Sequence, residues 1–250
     1  MATKKTKFSV SKVIINHRLF LKKQLLDITE ENIKIMYDEL EKYNKFLKYF
    51  AFIPKIYSYD ITNEYYIIYE YINGTTMKDI RFFDGINNLT FICNLCKLLN
   101  QVHLKGIIHC DLKPDNIIID NNDNIYIIDW NSSKYINEKP THGTLKYCSY
   151  EQLSLMAVDN YFDIYSIGVM LYDLLINDDL FAKLINANEK NNDIDKILEI
   201  SSKLKDYPRL LDDVFDKIFT RNMNKRYKDL QELINDLTVI IDSLKREKKV

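Results

Sequence analysis

Two β-rich runs, Val10 to Asn16 and Leu19 to Leu25, flank a polar break near His17-Arg18. Runs of this length around a turn read as a strand pair. The period then changes. Ile33, Met36, Leu40, Tyr43 and Leu47 recur every three or four residues behind Thr29, which predicts a capped helix over Glu30 to Tyr49. Ile53 to Tyr59 and Tyr65 to Tyr71 return to a strand pattern, and Asn73-Gly74 breaks it. Beyond that break the chain reads as mostly helical. Phe91, Ile92, Leu95, Leu98, Leu99 and Val102 share helical spacing, and further helices are expected at Tyr161 to Ile176, Ile194 to Leu204, Leu210 to Arg221 and Lys228 to Lys245. Two short strands, Ile117 to Ile119 and Ile125 to Ile128, interrupt this part around Asp120-Asn121-Asn122-Asp123-Asn124. The pattern predicts an α+β chain. A small β-rich lobe with one main helix occupies about residues 8–72, and a larger helical lobe about 75–246, within one domain.

Composition narrows the function. With 250 residues, 46% of them hydrophobic, the chain can bury a sizeable core. A formal net charge of -1 argues against a dedicated nucleic-acid or membrane-surface binder. No window reaches the length of a transmembrane helix, and Met1 to Lys7 is polar and basic without the apolar core of a signal peptide. Cysteines at 93, 96, 110 and 148 do not make a secreted disulfide framework, so an intracellular location is expected, as a monomer or weak dimer. Cys93 and Cys96 form a C-x-x-C pair but fall within the helical apolar pattern. No second pair completes a zinc site.

The chemistry concentrates in His109-Cys110-Asp111-Leu112-Lys113-Pro114-Asp115-Asn116, followed by Asp129-Trp130-Asn131. An Asp, a Lys two residues on, an Asn five residues on and a second Asp after a short hairpin form a kit for phosphoryl transfer. The stretch resembles the catalytic loop of eukaryotic-type protein kinases, in its Ser/Thr form. The resemblance covers nearly the whole chain from about Val10 and is strongest from Tyr65 to Arg226. It implies a two-lobed protein-kinase-like fold and transfer of the γ-phosphate of ATP, with Mg2+ or Mn2+, to a protein substrate. Asp111 is then the residue that orients the acceptor hydroxyl, and Lys113 reaches the transferring phosphate. Asn116 and Asp129 are the metal ligands.

The resemblance extends to structural positions. Gly143 to Glu151 looks like the end of an activation segment, with Thr144 hydrogen-bonding near Asp111 and Lys113. Glu151 is expected to pair with Arg226, and Asp163 to tether the catalytic loop. Glu70-Tyr71-Ile72 resembles the segment whose backbone holds adenine, with Tyr69 at the back of the pocket and Ile118 and Ile128 packing nearby. For the phosphate-holding lysine, strand alternation allows only one of Lys22 and Lys23 to face the nucleotide. Lys22 is favoured, and Glu39, rather than Glu41, as its partner.

Several positions depart from the family. No glycine precedes Gly74, so the Gly-rich phosphate loop is missing. The region before Leu21 is also short for the usual first hairpin plus third strand. Cys110 stands where the family has Arg, which weakens switching by loop phosphorylation. Trp130 and Asn131 replace the Phe and Gly after the metal-binding Asp, and Tyr150 replaces a Pro. Two other readings remain: a pseudokinase serving as a binding or scaffold module, and a kinase-like phosphotransferase acting on a small molecule.

Overall fold

The computed structural model describes residues 7–80, 85–140, 143–176 and 210–248. Among them the chain forms two compact units. One contains the residues up to Asp79 together with Asp115–Ser132, and the other contains Ile80–Pro114 and the residues from Ser133 onward. The expected helix at Ile194 to Leu204 lies outside the described residues.

The first unit is built on a four-stranded antiparallel sheet in the order β1-β2-β4-β3. Its strands are β1 (Phe8–Ile15), β2 (Arg18–Leu25), β3 (Ile56–Asp60) and β4 (Tyr66–Glu70). The turn between β1 and β2 is Asn16-His17, one residue earlier than the sequence suggested. Both residues have positive φ, 48° and 62°. This is the twist a two-residue hairpin loop requires, and Asn and His tolerate it better than most residues. β3 begins at Ile56 rather than Ile53, since Pro54 cannot donate to a ladder.

Helix α1 (Glu30–Lys45) lies against this sheet. Thr29 caps it by accepting from the Asn32 amide at 3.2 Å, and a separate 3-10 turn, Leu47–Tyr49, takes over where the sequence pattern ran on. Met36 and Leu40 of α1 meet Leu25 and Ile67 in a core completed by Phe8, Ile33, Ile56 and Tyr69. A second sheet, β5-β7-β8, is formed by β5 (Gly74–Thr76), β7 (Ile117–Asp120) and β8 (Ile125–Ile127). Gly74 is needed there: a Cβ would sit 2.3 Å from the Ile119 carbonyl oxygen.

The second unit is mainly helical. It contains α2 (Gly85–His103), α3 (Tyr150–Leu153), α4 (Tyr161–Ile176), α5 (Leu210–Phe219) and α6 (Leu230–Glu247). A short ladder joins β6 (Ile107–Ile108) to β9 (Lys134–Tyr135). α2 packs against α4 and α6, and Leu89, Ile92, Leu95, Leu99 and Val102 are fully enclosed. Cys93 and Cys96 are buried on this helix, and burial pushes the Cys96 thiol far above its ordinary pKa. α6 starts at Leu230 because Asp229 caps it through the Glu232 amide.

Candidate active site

In the first unit, β2 and α1 bring a lysine and a glutamate together beneath the sheet. Register sets which lysine. Lys23 pairs with Ile67 of β4, shares the inner face with Leu21 and Leu25, and is buried at 7% exposure. Its Nζ lies 3.1 Å from Glu39 Oε2, 3.4 Å from Glu39 Oε1 and 2.9 Å from Asp129 Oδ1. The expectation of Lys22 is therefore corrected. Lys22 is on the outer face, 3.9 Å from Glu64 and over the Tyr66 ring at 4.6 Å. Alternation does separate the two lysines, but the sequence did not show which face met α1.

Burial alone would lower the Lys23 pKa. The two carboxylates more than offset this and hold it above the ordinary lysine value. Glu39, also buried, accepts a further 2.8 Å hydrogen bond from the Tyr69 hydroxyl. Burial, followed by the Glu39 charge, raises the Tyr69 pKa well above its usual value. Glu41 is exposed and takes no part in this cluster.

Asp129 has a left-handed backbone, φ 62°. Asn131, which replaces the family's Gly, lies in the 3-10 turn Trp130–Ser132. Strained residues of this kind are held by their surroundings. Here Trp130 is buried, donates from Nε1 to the Ile127 carbonyl at 2.9 Å, and its turn packs on α1.

Lys23, Glu39 and Asp129 line a cavity of about 420 Å³ whose walls include Leu21, Tyr69, Glu70, Ile72, Asn116, Ile118 and Ile128. The residues expected at an adenine pocket and at a metal site thus share one cavity, with Lys23 in place of Lys22. Val10 and Phe8 of β1 also line it. The strand that follows the first turn carries the lysine, so a hairpin of two strands stands in place of the usual first hairpin plus third strand, as the short region before Leu21 implied. Asn116 and Asp129 offer hard oxygen donors, which suit magnesium completed by phosphate oxygens and water.

The second unit holds a tight polar cluster. Asp111 Oδ1 accepts from the Thr144 amide at 2.7 Å and the Thr144 hydroxyl at 2.8 Å. Lys113 Nζ donates to Asp111 Oδ2 at 3.0 Å and to Thr144 Oγ1 at 2.7 Å. Gly143 fits because its missing Cβ would lie 2.7 Å from the Cys110 carbonyl oxygen. The backbone leading to Asp111 is anchored by Asp163 of α4, which is fully buried. It accepts from the His109 amide at 2.8 Å and the Cys110 amide at 3.0 Å, and lies 2.8 Å from His103 Nε2. Burial pushes the Asp163 carboxyl up, but the His103 hydrogen bond and the neighbouring histidines pull it below the usual carboxylate range. Cys110, at φ 64°, is also held by Gln152, which donates to its carbonyl at 2.6 Å.

Glu151 and Arg226 pair at 2.7 Å, each under 10% exposed. The Arg226 guanidinium lies 3.8 Å from the Tyr161 ring centroid and donates to the Thr220 carbonyl at 2.7 Å. The sequence did not reveal the Tyr69–Glu39 bond, the Gln152 contact with Cys110 or the Lys146–Asp173 pair at 3.0 Å. A hydroxyl on the inner face of β4, opposite a helix glutamate, was the one available signal.

These features define a protein kinase fold with its characteristic polar positions. The family model of the protein kinase domain matches residues 3–238, and the chain belongs to that family. It is 29% identical over 189 residues to the serine/threonine-protein kinase PknB of Mycolicibacterium smegmatis, covering 69% of this chain and 30% of that protein. It is 26% identical over 194 residues to the serine/threonine-protein kinase PknD of Protochlamydia amoebophila, covering 67% of this chain and 19% of that protein. The chain therefore spans less than a third of the length of these relatives. Among solved structures, the Cydia pomonella granulovirus kinase PK-1 matches with a TM-score of 0.67 at 19% identity, covering 92% of this chain and 94% of the other, a likeness of fold. Among the described residues no helix is long and apolar enough to cross a membrane.

Proposed function

We propose that the chain transfers the γ-phosphate of MgATP to serine or threonine hydroxyls of a protein substrate. The observation that carries this reading is the Lys23–Glu39–Asp129 cluster in the wall of a mainly apolar cavity. Phosphoryl transfer needs positioning and charge stabilisation more than covalent help. In this reading Lys23 holds the α- and β-phosphates, and Asn116 and Asp129 hold the metal. The backbone of Glu70 and Ile72 meets adenine, and Ile118 and Ile128 pack on it. Asp111 orients the acceptor hydroxyl and takes its proton. Lys113 supplies positive charge at the transferring phosphate. Bound magnesium neutralises charge on the phosphate oxygens.

Thr144 supports the choice of a protein acceptor, since it locks Asp111 and Lys113 to the segment before Glu151. The glycine-free hairpin favours a second reading, a kinase-fold binding module with weak or no nucleotide affinity. Transfer of labelled γ-phosphate to a basic protein separates the two. Labelling of serine or threonine that disappears in Asp111→Asn and Asp129→Asn supports the kinase. No labelling by folded protein at millimolar MgATP supports the binding module.

A further inference from the structure

We propose that Tyr69 is a positioning residue that keeps Glu39 turned toward Lys23, so that the lysine–glutamate pair is assembled before any nucleotide or external signal arrives. The inference rests on the nucleotide reading for its consequence but not for its geometry. In protein kinases this ion pair must be in place for transfer, and it is a point of control through helix position and loop phosphorylation. Here the pair has an internal support. Glu39 Oε2 is taken by Lys23 at 3.1 Å, whereas Oε1 lies 3.4 Å from Lys23 and 2.8 Å from the Tyr69 hydroxyl. The shortest bond to Glu39 therefore comes from β4, not from the lysine.

The hydroxyl joins three elements at one carboxylate: β2 through Lys23, β4 through Tyr69 and α1 through Glu39. A buried carboxylate that loses a donor retains its full desolvation cost, which makes such a bond worth more than a surface one. Rotating Glu39 out of the cavity would leave both the Tyr69 hydroxyl and the Lys23 ammonium short of a partner in a buried site. Helix α1 is thus biased to the paired position. Cys110, where the family has an Arg to receive a loop phosphate, fits a chain whose pairing does not depend on that phosphate.

The test uses Tyr69→Phe, which keeps the ring, with Glu39→Met and the double variant. Two quantities are measured: hydrogen exchange of the α1 amides without nucleotide, and affinity for MgATP against adenosine. Tyr69→Phe is expected to speed α1 exchange around Glu39 by roughly three- to tenfold and to weaken MgATP binding by a similar factor, a larger factor than for adenosine. In the Glu39→Met background, adding Tyr69→Phe is expected to do nothing or to stabilise slightly, because the hydroxyl has already lost its acceptor. Equal effects of Tyr69→Phe in both backgrounds, or no change in α1 exchange, would overturn the proposal. If the exchange result is as expected but the wild type binds no MgATP, the nucleotide reading fails and the positioning role stands.

Discussion

Replacing each adjacent lysine of β2 with methionine isolates the cluster on which the functional reading depends. Lys23→Met removes a buried ammonium from between Glu39 and Asp129, which lie 3.1 and 2.9 Å from it. Methionine fills much the same volume, so the loss is electrostatic. Removing one partner of a buried ion pair costs about 3–5 kcal/mol. Two effects reduce that figure here: the lysine's own desolvation cost disappears, and the Asp129 side chain is 39% exposed and can turn to water. We expect about 2–3 kcal/mol, a fall in Tm of roughly 4–12 °C for a domain of this size. Lys22→Met removes only a 3.9 Å contact to Glu64, whose side chain is 64% exposed, and a ring contact with Tyr66. Such surface pairs contribute about 0–1 kcal/mol. Urea denaturation gives the stability of each variant, and thermal shift with millimolar MgATP gives nucleotide binding. Lys23→Met should lose most of the MgATP stabilisation, whereas Lys22→Met should keep it. Equal destabilisation by the two variants, or loss of nucleotide response in Lys22→Met alone, would refute this assignment.

Arg226→Ala should destabilise the second unit by about 3–5 kcal/mol in urea denaturation, since it strands the buried Glu151 carboxylate. A loss under 1 kcal/mol would show the pair to be solvated. Thr144→Val removes the hydroxyl between Asp111 and Lys113 but keeps the amide bond to Asp111, so kcat should fall about tenfold or more, with KM for ATP little changed. Asp163 gives the expected pH behaviour. Its folded pKa is depressed, so its contribution is fully present above the ordinary carboxylate pKa and is lost as pH falls through the lowered folded value. Acid titration of Asp163→Asn should show a weaker pH dependence of stability in that acidic range than the wild type, at lower stability throughout.

The legible parts of the sequence were those where local pattern and tertiary demand agree. α1 announced itself through Thr29 and the Ile33–Met36–Leu40 spacing, and α4 (Tyr161–Ile176) was legible because most of its residues are apolar. The polar kit from His109 to Asp129 was readable because its chemistry fixes residue type and spacing together. What could not be read depended on partners distant in the chain. Lys22 and Lys23 are equivalent until β2 is known to lie between β1 and β4 with α1 beneath one face. Asp129 adopts a left-handed backbone where the following residues turn into a 3-10 helix packed on α1, a feature with no local signature. Tyr69 looked like a bulky wall until its hydroxyl was seen to meet Glu39.

The central claim is most directly tested by single-turnover transfer of labelled γ-phosphate from MgATP to a protein acceptor, with phosphoamino-acid analysis of the product. Wild type, Asp111→Asn and Asp129→Asn are run alongside nucleotide-binding measurements. The wild type should yield labelled serine or threonine. Asp111→Asn should keep MgATP binding and lose transfer, and Asp129→Asn should lose transfer and bind MgATP more weakly. A folded wild type that binds MgATP but passes the labelled phosphate to no protein acceptor, or variants that transfer it as fast as the wild type, would overturn the kinase assignment.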